Sequence, residues 1–111
     1  MKMANQYFYV LYCQDDTLYA GYTNNLEQRL LKHNSGKGAK YTRPDFRRPV
    51  HMIYAEEWET KSQAMRAEAK FKQLTRAQKE MYLHSSGVES LQGKLLYYVD
   101  RTDSLCDKED D

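Results

Sequence analysis

The chain has 111 residues, a length that suits a single domain with one modest core. Its composition is globular, with 41% hydrophobic residues, 30% charged residues and ten tyrosines, and no apolar run approaches the ~20 residues of a membrane-spanning helix. The net charge of +1 combines +5 over residues 1–99 (15 basic, 10 acidic) with −4 over residues 100–111 (2 basic, 6 acidic), which favours a polyanionic partner.

Two strands joined by a turn come first. Residues 7–13 are apolar at almost every position and rich in Tyr, Phe and Val, which predicts a strand covered on both faces and central in its sheet. Residues 14–17 have turn chemistry, and residues 18–23 form the return strand. Because side chains alternate along a strand, Tyr9 and Tyr19 share a face only if the loop has an odd length, three or five residues.

Gly21 lies inside the second strand, where glycine weakens pairing. Such a glycine indicates that another group approaches the backbone closely at this point.

A short amphipathic helix is predicted over residues 26–34, with Asn24 or Asn25 as its N-cap. Arg29 and His33 lie one turn apart and flank its apolar stripe. Taken alone, the pattern favours solvated positions at the helix edge for these two residues.

A basic loop follows at residues 35–49. From Arg29 to Arg48 the chain has seven Lys or Arg and one Asp, with two aromatic residues between them. This mixture is what phosphate contacts and base stacking require, although a solvated connection has a similar composition. The candidate nucleic-acid contacts are Lys37, Lys40, Tyr41, Arg43, Arg47 and Arg48 from this loop, and Lys72 from a later helix.

The second half of the domain is a third strand followed by two helices. Residues 50–58 alternate partly and predict the strand. Thr60 to Ser62 cap a helix that runs to about residue 74, and Thr75 caps another that runs to about residue 83.

Glu68 is the most unusual residue of the first of these helices, because it lies on the apolar face beside Phe71. A carboxylate that faces a core costs several kcal/mol unless it is paired, hydrogen-bonded or metal-bound. An ion pair with Lys72 or Arg29 would satisfy it, and so would a role as a metal ligand. A single carboxylate suits a hard cation that keeps several waters.

The chain is expected to divide into a domain over residues 5–84 and an extension over residues 85–111. Residues 93–100 could form a strand or a helical turn, and the acidic end is expected to be disordered. Cys13 and Cys106 have no metal-site or disulfide spacing, which favours the reduced cytoplasm. The acidic end could also fold back onto the basic loop and compete with nucleic acid.

In order along the chain, these residues resemble the GIY-YIG nuclease family, and especially its small stand-alone bacterial members. Tyr7-Phe8-Tyr9 stands where the family has its GIY, and Tyr19-Ala20-Gly21 where it has its YIG. Arg29 and His33 follow in the helix, Glu68 follows in a later one, and residues 33–43 (HNSGKGAKYTR) look very like the stand-alone subgroup. Tyr7 replaces the first glycine and Ala20 the isoleucine.

The resemblance implies an α+β fold with a three-stranded antiparallel sheet flanked by helices. It also implies hydrolysis of DNA phosphodiester bonds, including structured or single-stranded DNA, with one Mg²⁺ or Mn²⁺. The implied catalytic residues are Tyr9, Tyr19, Arg29, His33 and Glu68. Glu68 would be the metal ligand, Arg29 the phosphate clamp and Tyr19 the group that orients or deprotonates the attacking water.

Two other functions stay open on the residues alone. A nucleic-acid-binding module without useful catalysis would bind in a salt-dependent way and give no metal-dependent product. A protein-interaction adaptor would bind neither DNA nor RNA.

Overall fold

A mixed four-stranded sheet with three helices makes up the part of the chain that the computed structural model describes, residues 5–93 and 95–102. The strands are β1 (Gln6–Tyr12), β2 (Leu18–Thr23), β3 (His51–Trp58) and β4 (Tyr97–Asp100). The helices are α1 (Leu26–Asn34), α2 (Lys61–Lys72) and α3 (Arg76–Ser86). The strand order is β2-β1-β3-β4, so β1 is central, as its continuous apolar run predicted.

The hairpin between β1 and β2 has the odd loop that the two tyrosines require. Tyr12 pairs with Leu18, which leaves a five-residue loop, and Leu11 pairs with Tyr19. Tyr9 and Leu11 lie on the same face of β1, so Tyr19 shares that face with Tyr9. The prediction of an odd loop is confirmed.

Side-chain caps fix where the helices begin. The Asn25 side chain accepts a hydrogen bond from the backbone N–H of Gln28 at 3.1 Å, which decides between the two asparagines in favour of the second. Thr60 and Thr75 each form a reciprocal capping box with the glutamine three residues later, as the sequence predicted for both threonines.

The sheet separates two apolar layers. Helices α2 and α3 cover one face, where the buried side chains include Phe8, Val10, Ile53, Phe71 and Leu83. Helix α1 and the basic loop cover the other face, where they include Tyr9, Leu11, Cys13, Val50 and Met52.

The expectation of three antiparallel strands is wrong by one strand. Residues 97–100 form β4, which pairs in parallel with β3 from Tyr54↔Tyr97 to Glu57↔Asp100. This pairing also decides between strand and helical turn for this segment. The acidic end and its predicted fold-back lie outside the described residues. Within the described part of the chain, no helix is long and apolar enough to cross a membrane.

Candidate active site

A buried phenol and a buried imidazole form the centre of the site. Tyr9 Oη lies 2.8 Å from His33 Nε2, and both side chains are 0% exposed. The phenol reaches this position because β2 has a glycine opposite it. A Cβ atom at Gly21 would lie 2.5 Å from Tyr9 Oη, so any side chain there would displace the phenol. The close approach that this glycine indicated is confirmed.

The other nitrogen of the imidazole fixes the tautomer. His33 Nδ1 lies 2.7 Å from Thr42 Oγ1, and this hydroxyl donates its own proton to the Ala39 carbonyl oxygen at 3.1 Å. Thr42 Oγ1 must therefore accept from His33, which places the imidazole proton on Nδ1. His33 Nε2 is then an acceptor, and the Tyr9 hydroxyl donates to it.

Burial keeps this pair neutral. It raises the pKa of Tyr9 to about 12, against the opposing effect of the Arg29 guanidinium. Burial together with the Arg29 charge lowers the pKa of His33 to about 4. Near neutral pH the hydrogen bond therefore joins a phenol to an imidazole rather than a phenolate to an imidazolium.

Two charged side chains border this neutral centre. Arg29 Nε donates to Tyr9 Oη at 3.3 Å, and within the described chain its terminal nitrogens make no hydrogen bond. The Glu68 carboxylate is near enough for its charge to raise the pKa of Tyr9. It forms an ion pair with Lys72 at 2.7 Å, and the Lys72 ammonium lies 5.6 Å from the Tyr19 ring centroid. Glu68 thus forms the ion pair with Lys72 that the spacing allowed.

Tyr19 is the tyrosine of the site that solvent can reach. Its ring stacks on Tyr41 with centroids 5.8 Å apart and contacts the edge of His33 at 5.4 Å. Among the described residues, nothing hydrogen-bonds the Tyr19 hydroxyl. The Arg47 guanidinium lies 3.9 Å from the Tyr41 ring centroid and forms an ion pair with Asp15 at 3.0 Å. This cation–π contact stabilises the position of Tyr41 in the aromatic stack.

The cationic side chains of the basic loop fall into two groups, those with and those without an ion pair among the described residues. Arg47 and Arg48 are partly used inside the protein, because Arg47 pairs with Asp15 and Arg48 with Asp45. Lys37, Lys40 and Arg43 are exposed and form no ion pair within the part of the chain that the structure describes. The predicted nucleic-acid contacts remain predictions, and these three side chains are free to make them.

The donor set fits a weakly held hard cation better than a closed metal site. Both nitrogens of His33 are occupied by hydroxyl partners, so the imidazole is not available as a ligand. Residues 5–93 and 95–102 contain no group of three or more His, Cys, Asp or Glu side chains that could hold a metal. The Glu68 carboxylate offers a hard oxygen ligand, and one carboxylate suits a hard cation held mainly by water and substrate phosphates.

Two residues of the site escaped the sequence-based prediction. Thr42 is 0% exposed and orients His33, and a Cβ atom at Gly38 would lie 2.7 Å from His33 Nδ1. Both residues belong to the segment HNSGKGAKYTR. This segment was informative in the sequence only through its resemblance to the stand-alone subgroup, and the resemblance assigned no role to either residue.

Fold and site together define the class of protein. A model described as the GIY-YIG catalytic domain matches residues 5–81, about two thirds of the chain. The chain belongs to this family, and its fold is of the nuclease type.

Its relatives are small bacterial proteins. It is 52% identical over 105 residues to a UPF0213 protein of Bacillus velezensis, covering 95% of this chain and 100% of that protein. The solution NMR structure of EF2693 from E. faecalis is 57% identical with a TM-score of 0.54, covering 80% of this chain and 92% of that one. That of a UPF0213 protein from Bacillus halodurans is 40% identical with a TM-score of 0.51, covering 78% and 89%.

Proposed function

We propose that the protein is a metal-dependent endonuclease that hydrolyses phosphodiester bonds in DNA. One observation carries the proposal. Arg29 is anchored through Nε to the buried Tyr9 hydroxyl, and its terminal nitrogens make no hydrogen bond within the described residues. Tyr19 packs near the Tyr9 ring, and the Glu68 charge acts on the Tyr9 phenol. A fixed guanidinium, a phenol and a carboxylate are a set that phosphate-ester hydrolysis can use.

Arg29 would bind the scissile phosphate. Its planar fork matches two phosphate oxygens, and its charge stabilises the negative charge that develops in the transition state. Anchoring through Nε restricts the rotation of the side chain, so less conformational entropy is lost when the phosphate binds.

Tyr19 would orient the attacking water, because it is the partly exposed phenol of the site. Tyr9 and His33 are completely buried and cannot touch a substrate in this conformation. We therefore assign them positioning roles: the hydrogen-bond chain from Tyr9 through His33 to Thr42 holds the phenol on which Arg29 rests.

Glu68 would hold the divalent ion. When bound, Mg²⁺ or Mn²⁺ supplies Lewis-acid stabilisation of the departing oxygen. Lys72 pairs with this carboxylate but is 49% exposed, so its side chain can turn toward a nearby phosphate of the substrate.

The substrate strand would lie across the exposed cations of the basic loop. Lys37, Lys40 and Arg43 can contact phosphates, and the Tyr41–Tyr19 stack provides an aromatic surface for an unpaired base.

Cleavage assays test the proposal. Duplex, single-stranded, nicked and branched DNA, each with an RNA counterpart, should be incubated with Mg²⁺, with Mn²⁺ and with a chelator. We expect metal-dependent cutting of at least one DNA substrate and a loss of at least ~10²-fold in Arg29→Ala and Glu68→Gln. The matched controls Lys32→Ala and Glu27→Gln remove the same charges from exposed positions of α1 and should cut normally.

The Glu68–Lys72 ion pair favours a second candidate, a binding module in which the carboxylate never holds a metal. That module would bind DNA with strong salt dependence and would release no product with either metal. Product formation that is equal in Glu68→Gln and the unmodified chain would contradict the proposed role of Glu68.

A further inference from the structure

A second cleft lies on the opposite face of the sheet from Tyr9 and His33. It measures about 690 Å³, within the ~300–1,000 Å³ range of small-molecule sites. Its walls come from the end of β3, from α2, from α3 and from the residue that follows β4. Neither the sequence motifs nor the proposed nuclease chemistry uses this cleft.

A buried carboxylate fixes the aromatic walls. Glu56 is 0% exposed and accepts hydrogen bonds from Trp58 Nε1 at 3.0 Å, from Tyr54 Oη at 2.7 Å and from Tyr82 Oη. Arg101 Nη2 lies 3.5 Å from the same carboxylate and balances its charge. Glu56 is therefore well satisfied and serves to orient the Trp58 indole and the Tyr82 phenol at the cleft.

The rim of the cleft is cationic. Arg66 and Lys70 are exposed on α2 and lie one turn apart, a spacing at which like charges destabilise a helix. In residues 5–93 and 95–102 neither side chain forms an ion pair, whereas Lys72 and Arg76 each pair with an acid four residues away. Such a destabilising pair of like charges is expected where a bound ligand supplies the opposite charge.

Apolar and aromatic surface lies below these cations. Ala67 and Phe71 of α2 and Leu74 just after it line the cleft with Trp58 and Tyr82. A complementary ligand has a flat apolar body for the aromatic surface and an anionic group for the cations.

We propose that this cleft binds one nucleotide unit, with the base against Trp58 and Tyr82 and the phosphate at Arg66 and Lys70. The nucleotide is either a free mononucleotide or an unpaired nucleotide of a strand, and both present the same base and phosphate. The site is independent of the proposed nuclease function, because it shares no residue with Arg29, Tyr19 or Glu68.

Trp58 makes the proposal directly measurable, since it is the only tryptophan in the chain. The full chain should be titrated with dAMP while the fluorescence and the single indole N–H resonance of Trp58 are followed. We expect saturable changes in both signals, with a Kd on the order of 100 μM. Adenosine lacks the phosphate and inorganic phosphate lacks the base, so each should bind at least ~10-fold more weakly.

Matched variants separate the cleft from general charge effects. Arg66→Gln combined with Lys70→Gln should weaken dAMP binding at least ~10-fold, while Lys32→Gln on α1 and the nuclease-site variant Arg29→Ala should leave it unchanged. Arg66, Lys70 and Lys32 are exposed, so their substitution leaves the core intact.

Three results would overturn the proposal: no saturable change up to about 10 mM dAMP, equal binding by the double variant, or binding of phosphate alone with the affinity of dAMP. A short single-stranded oligonucleotide distinguishes the two sources. Tighter binding than dAMP, with the same dependence on Arg66 and Lys70, assigns the site to a strand, and equal affinity assigns it to free nucleotides.

Discussion

His33 and Glu56 are buried on opposite faces of the central sheet, and their hydrogen bonds satisfy them in opposite ways. His33 lies between two hydroxyl groups, one accepting and one donating, and burial keeps it neutral. Glu56 collects three donors and the nearby Arg101 guanidinium, an arrangement suited to a carboxylate.

Because of this difference, the charged side chains that a ligand could contact lie in different places on the two faces. Around His33 the centre is neutral, and the charged groups Arg29 and Glu68 border it at positions that solvent reaches. On the Glu56 face the carboxylate is fully engaged, and Arg66 and Lys70, which form no ion pair within the described residues, lie exposed on α2. A neutral hydrogen-bonded chain can position reactive groups, whereas a saturated carboxylate holds its surroundings rigid.

The largest expected effect comes from breaking the carboxylate centre. Glu56→Ala removes the acceptor of Tyr54, Trp58 and Tyr82, so three buried or half-buried donors lose their hydrogen bond. We expect the free energy of unfolding to fall by about 3–5 kcal/mol, measured by urea denaturation. Glu89→Ala removes an exposed carboxylate and should be nearly neutral. A loss below about 1 kcal/mol for Glu56→Ala would show that Glu56 is not the centre of this cluster.

Acid tests the other face. Because the pKa of His33 is about 4 when folded and ~6.5 when unfolded, the unfolded chain binds the proton more readily below pH ~6.5. Stability should therefore fall as the pH drops from ~6.5 through about 4, by roughly 3 kcal/mol from this residue. In His33→Gln this loss of stability between pH ~6.5 and about 4 should be absent, while the pH dependence that comes from the other titratable groups should remain. An NMR titration that places the pKa of His33 near ~6.5 would contradict the burial argument.

The smallest effect is expected at Thr42, and it tests the tautomer. Thr42→Val keeps the shape and removes the hydroxyl that accepts from His33 Nδ1, so the imidazole loses its preference for the Nδ1 proton. We expect a loss of about 1–2 kcal/mol and a changed ¹⁵N tautomer signature of His33. Thr42→Ser retains the hydroxyl and should preserve the signature. If the ¹⁵N tautomer signature of His33 is unchanged in Thr42→Val, then Thr42 does not orient the imidazole.

Much of the fold was readable in the sequence because it depends on local signals. The apolar run of β1, the capping threonines and the turn residues each act over a few positions, and each element formed where its pattern indicated. The order of Tyr9, Tyr19, Arg29, His33 and Glu68 identified the family, which the family model matches.

Long-range geometry could not be read in this way. No local sequence pattern predicts that Thr42 accepts a hydrogen bond from His33. The two residues are nine positions apart, and the folded loop between them brings them together. The fourth strand was undecided because four residues carry little periodicity, and their pairing with β3 depends on a free edge that only the assembled sheet provides.

The sequence by itself determined the first three strands, the three helices, the family and the set of side chains available for chemistry. The tertiary structure decided which of them are buried and neutral, which remain charged at the surface, and that Glu56 holds together a second cleft. The physical reason is that burial and desolvation are properties of the packed chain, and these set both the protonation of His33 and the donors around Glu56.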